Sequence, residues 1–207
     1  MTDRLSSRLQ RRTSRRGRSA FGAPVPGLLL LALCCGCRSG VSRLELVSYK
    51  DPYFPERYSL VLDECAYDVD AGGDYHIVGR SSDQPDPDAG PVEQLLHVHL
   101  FWRPRPGKTH DNPTSVDAVI RYVIATHGGL AVYSGTGFVY PKRDRISDWV
   151  RASVENARLR LVEQRGEPPD LLGEARLMGT LAARDDGNAA VNLLRSMDLL
   201  TAPPAQP

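Results

Sequence analysis

The chain is 207 residues long and 41% hydrophobic, with 18 Gly, 16 Pro, four Cys and a formal net charge of +1. That length and apolar content suit one domain able to bury a core without disulfide staples, and they exclude collagen-like, coiled-coil, disordered and multi-span membrane chains. The charge is unevenly spread: residues 37–207 hold 19 Lys and Arg against 24 Asp and Glu, a net −5, with no aromatic-interleaved basic surface, which argues against a nucleic-acid partner.

The first segment is basic, with seven arginines between Arg4 and Arg18 against one acid, Asp3. An apolar run from Gly27 to Cys37 follows and stops at Arg38. About ten strongly apolar residues is the length of a signal peptide, whereas roughly twenty are needed to span a bilayer. The end of the run, Cys34-Cys35-Gly36-Cys37, resembles the lipobox of bacterial lipoproteins, with a small residue, Gly36, before the cysteine that takes the lipid. Cys34 stands where that motif usually has a branched aliphatic residue, which leaves Cys34 and Cys35 as alternative attachment points. The resemblance covers residues 1–37 alone. It implies a signal peptide over 1–36, a covalent lipid on Cys37, a tether over 37–43 and an envelope protein held on a membrane, facing the periplasm or exterior. An uncleaved N-terminal anchor is the alternative. Ser14-Arg15-Arg16 is similar to a twin-arginine export signal but lacks apolar residues after it. Cys65 is then the only cysteine beyond the leader, and a lone Cys in an apolar run is expected to be a small buried hydrophobe.

From residue 44 to residue 200 the pattern predicts a single domain. Leu44–Tyr49 reads as a strand, and the prolines at 52 and 55 force a loop. Residues 57–68 and 75–79 read as a hairpin about Gly72-Gly73. Residues 81–91 are a polar loop. The clearest strand spans 93–103, with Leu96, Val98, Leu100 and Trp102 on the core face and Leu95, His97, His99 and Phe101 on the other. A second hairpin is expected from Val116–Thr126 and Leu130–Tyr140, with Gly135 and Gly137 marking a bulge or a close backbone contact. Ile146, Trp149, Val150, Val154, Ala157 and Leu161 recur at helical spacing, which predicts a long amphipathic helix over about 145–165. A last strand over 171–183, a short helix capped by Asp186 or Asn188 and a frayed tail over 201–207 complete the reading. The expected fold is therefore α+β: a mainly antiparallel curved sheet of about seven strands, with the long helix packed on it and a short C-terminal helix.

His97-Val98-His99 is the most suggestive spacing for chemistry, because residues two apart on a strand share a face and both imidazoles could meet one Zn²⁺ or similar ion. Candidates for a third ligand are His76, Asp63, Glu64, His110 and His127, and the plain alternative is two half-exposed histidines on a sheet face. Trp102, Arg103 and Arg105 combine an aromatic and two guanidiniums that could recognise an anionic glycan or lipid headgroup; otherwise they form a rigid loop with Trp102 in the core. Gly107-Lys108-Thr109 lacks the earlier glycine and following helix of a phosphate loop, and Ser134 lacks the preceding glycine of a nucleophile elbow. The acids Asp63, Glu64, Asp68 and Asp70 read as solvated strand edges. With no complete catalytic motif, the expectation is a membrane-anchored, non-enzymatic binding or structural module for an envelope protein, glycan or lipid, with a metal-binding protein or metalloenzyme using His97 and His99 as the alternative.

Overall fold

The computed structural model describes residues 40–82, 92–101, 117–144, 147–166, 170 and 172–203. Nine strands and one helix account for most of them. In chain order these are β1 (Ser42–Ser48), β2 (Glu56–Leu62), β3 (Glu64–Val69), β4 (Tyr75–Ser81), β5 (Glu93–Leu100), β6 (Ala118–Thr126), β7 (Gly129–Arg143), β8 (Trp149–Gly166), β9 (Ala175–Asp185) and α1 (Gly187–Thr201). Among the described residues no helix is long and apolar enough to cross a membrane.

The strands close on themselves. β3 through β8 pair in sequence as an antiparallel meander, and β9 pairs with β8 along one edge. Along its other edge β9 pairs first with β1 and then, beyond the start of β1, with β3 through a short parallel bridge. β2 and β3 are two halves of one path broken at Asp63, β2 against β1 and β3 against β4. The result is a barrel whose wall has eight strand positions, a size whose interior side chains can fill. They do fill it: Leu46, Tyr67, Ile77, Leu96, Tyr133 and Leu177 are among the largest fully buried side chains, all in one cluster inside the wall. Residues such as Val78, Leu95, Val123 and Val132 point outward instead and make a second cluster with Leu193 and Met197 of α1. Asp186 caps that helix, accepting from the Ala189 amide at 3.0 Å, as the sequence leads one to expect.

The α+β expectation with a helix over 145–165 is overturned: the segment is β8, the longest strand at 18 residues. Val150, Ala152 and Val154 alternate inward, then Glu155 and Asn156 both face out, and Ala157 and Leu159 resume the inward positions. The pairing with β9 slips between Val154 and Ala157, and Asn156 takes a left-handed φ of 49°, a conformation Asn tolerates better than most residues. One extra residue in an alternating strand turns steps of two into the series 150, 154, 157, 161, which is the spacing of an amphipathic helix face. The period was there; the bulge disguised it. β8 and the break at Asp63, which divides the strand expected over 57–68 into β2 and β3, raise the strand count from the expected seven to nine.

Candidate functional site

The first candidate site lies on the outer wall where β4 and β5 pair. His76 stands directly opposite His99, and His97 lies two residues back on the same face. Of the five candidates for a third partner of His97 and His99, the fold thus selects His76. Asp63 and Glu64 are engaged elsewhere: Asp63 accepts from the amide and hydroxyl of Ser82 at 2.8 and 2.7 Å, and Glu64 pairs with Arg80 at 2.9 Å. His127 is exposed in the turn between β6 and β7, and His110 lies outside the described residues.

The three imidazoles lie nearly parallel. His76 and His99 stack with centroids 4.4 Å apart, and Nδ1 of His76 and Nε2 of His97 share a hydrogen bond at 3.2 Å. Two carboxylates from the β3–β4 turn stand behind them. Asp70 lies 3.6 Å from Nε2 of His76, and Asp74 lies 3.2 Å from Nε2 of His99. Asp70 also holds the turn itself, accepting from the amides of Gly73 and Asp74 at 2.7 and 2.9 Å, and those backbone bonds keep its carboxyl below the ordinary range. Burial, helped by the neighbouring His76, His99 and Arg121, pushes His97 down to about 4, so its ring is neutral at physiological pH. In this arrangement no three donors among the described His, Cys, Asp and Glu residues converge on one point.

A second site lies on the outer wall where β7, β8, β9 and the end of β1 run side by side. Ser134 and Thr136 of β7 pair with Arg160 and Arg158 of β8, and Arg158 pairs in turn with Arg176 of β9. These residues line a groove of about 630 Å³ that also takes in Tyr49, whose ring lies 5.3 Å from the Arg176 guanidinium carbon. Two like charges directly opposite on neighbouring strands repel. Among the described residues no carboxylate comes within ion-pair distance of Arg158, Arg160 or Arg176, although Glu174 lines the same groove. At the rim, Pro52 is followed by Tyr53 and Phe54, which are 86% and 75% exposed and so cover nothing in this chain.

Cys37, Trp102, Arg103 and Arg105 lie outside the described residues. Cys65 packs against the barrel core, and burial pushes its thiol up to about 11, which keeps it protonated and unreactive. The arginine groove is hidden from the sequence by the expected helix over about 145–165, which separates Arg158 and Arg160 from Arg176. The signal was Arg158 and Arg160 two apart, a same-face pair in a strand. Asp70, expected to be a solvated strand edge, and Asp74, given no role by the sequence, find their histidine partners on β4 and β5. No family model, no curated protein and no solved structure matches the chain, so its function has to be argued from these residues.

Proposed function

We propose that the protein is a lipid-anchored, non-enzymatic binding module of the bacterial envelope, and that the arginine groove receives an acidic segment of a partner protein. The observation that carries the reading is the uncompensated Arg158–Arg176 pair in a domain otherwise rich in acids. A guanidinium stays charged at neutral pH and moves no proton there, so binding is the chemistry these groups perform, with Ser134 and Thr136 as neighbouring donors. Arginine beside exposed Tyr53 and Phe54 is the residue mix that carries binding energy at protein interfaces, which favours a protein over a glycan. β1 runs from Ser42 to the groove at Tyr49, a rise of about 20 Å. Cys37 precedes Ser42 by five residues in the sequence.

The groove is tested by fluorescence anisotropy with a labelled oligoglutamate peptide. Wild type should bind with an affinity that falls as salt rises, and an R158E/R160E variant should bind at least about tenfold more weakly. Equal binding by the two proteins would refute the groove, and tighter binding of an acidic polysaccharide than of the peptide would reassign its ligand. Metabolic labelling with a palmitate analogue tests the anchor: label should appear on the wild type and vanish in Cys37→Ser, and label that persists in the variant refutes Cys37 as the attachment point.

A further inference from the structure

The histidine face of β4 and β5 is independent of the groove. We propose that His76, His97 and His99 bind one first-row divalent ion, Zn²⁺ or Cu²⁺, through Nδ1 of His76, Nε2 of His97 and Nδ1 of His99. Two histidines two apart on one strand and a third directly opposite on its neighbour gather three imidazoles on one patch of the sheet face, where a turn of His99 out of its stack brings the third donor toward the other two. The closest pair is already near the spacing an ion needs. Two nitrogens on a tetrahedral zinc stand about 3.3 Å apart, and Nδ1 of His76 and Nε2 of His97 are 3.2 Å apart.

The carboxylates decide which nitrogens are offered. Asp70 faces Nε2 of His76 and Asp74 faces Nε2 of His99, so each of these rings can hold its proton on the carboxylate side and turn a bare Nδ1 toward the ion. That carboxylate–histidine–metal relay fixes the tautomer and raises the basicity of the ligand. The ion also requires His99 to leave its 4.4 Å stack on His76 by a side-chain rotation. His99 is 34% exposed, and rotamer changes of exposed side chains are fast. Among the described residues Arg121 pairs directly with His97 across β5 and β6, and it is drawn aside, donating to Thr201 Oγ1 at 2.7 Å and pairing with Asp198 at 3.5 Å. Neutral imidazoles suit both zinc and copper, with copper the tighter of the two.

The test uses the full chain in detergent, stripped of metal and with accessible thiols alkylated so that Cys34, Cys35 and Cys37 cannot compete. Titration with Zn²⁺ alone should show one ion per chain, and Cu²⁺ should give an electron paramagnetic resonance spectrum with hyperfine splitting from imidazole nitrogen. His99→Ala should lower the affinity for both ions about 100-fold with an unchanged melting temperature, and Asp70→Asn should lower it about tenfold at the same stoichiometry. His97→Ala should abolish the nitrogen splitting. Should that variant not fold, the surface variant His99→Ala carries the test alone. A wild type that takes up neither ion, or binds them as tightly after His99→Ala, overturns the proposal.

Discussion

Replacing Gly135 with alanine is expected to cost about 4 kcal/mol or more, enough to unfold most small domains. A Cβ at this position would lie 1.6 Å from the carbonyl oxygen of Arg158, 2.6 Å from its carbonyl carbon and 3.0 Å from Cα of Leu159. All three are backbone atoms of β8, so no rotamer change relieves the clash, and β7 must part from β8 between the two slips in their register. Gly137 faces the same neighbour, with a Cβ placed 2.4 Å from that of Ala157. Gly137 lies within the slip in register between Thr136 and Phe138, and Gly135 stands just before it, beside the groove. Gly128, with open space around it, is the control, and its alanine variant should stay within about 0.5 kcal/mol of wild type. Urea unfolding of the three proteins reads the difference. If Gly135→Ala melted with Gly128→Ala, the β7–β8 register would have to be wrong.

The second large effect is expected at Asp170. Its Oδ1 accepts from the Tyr133 hydroxyl at 2.8 Å, the Gly173 amide at 2.9 Å and the Leu172 amide at 3.3 Å. Leu172 is buried, and its carbonyl accepts from the Ser48 hydroxyl at 2.8 Å, so this one carboxylate ties the chain between β8 and β9 to an interior tyrosine and to β1. Asp170→Ala should cost about 3 kcal/mol, because hydrogen bonds to a charged acceptor are worth more than neutral ones and the tyrosine hydroxyl loses its carboxylate. Asp170→Asn, which keeps an acceptor oxygen, should cost about half as much. Burial pushes the Asp170 carboxyl up, but the bonds from Gly173, Tyr133 and Leu172, together with the charge of Lys50, outweigh it and leave its pKa below 3.8. A carboxyl whose folded pKa is depressed supplies stability that is full above its unfolded pKa and lost as pH falls through the folded one. Wild type should therefore shed this contribution only below about pH 4, and Asp170→Ala should be equally destabilised at pH 5 and pH 8. A stability gap that closed between pH 8 and pH 5 would remove the carboxylate from this role.

Much of the wall was legible from alternation alone. Leu96, Val98 and Leu100 face the core as their spacing predicts, and His97 and His99 share the opposite face. Gly135 and Gly137 mark a close backbone contact, one of the two outcomes their place within the second hairpin arm predicts. What could not be read were the relations between strands distant in sequence. Nothing local announces that β9 returns to pair with β1, or that β2 and β3 are one path bent at Asp63. For the same reason two histidines were visible and the third was one of five candidates, since its selection depends on the β4–β5 register. The arginine groove needed three strands and a correct period for β8, and the bulge at Asn156 hid that period.

Asn156 has a consequence for how this chain can vary. On either side of it the faces of β8 are set in opposite phase, so the strand's length is constrained more tightly than its composition. Deleting that one residue would restore an unbroken alternation from Val150 onward. The ladder to β9 would then run without a slip from Val154 opposite Gly179 to Ala157 opposite Leu177, and Ala157 and Leu159 would keep their inward places. Many side chains of β8 can be exchanged for others of like polarity, but one residue inserted between Ala157 and Arg158, beyond the bulge, would turn Leu159 outward and Arg158 and Arg160 into the lumen, removing core and groove together.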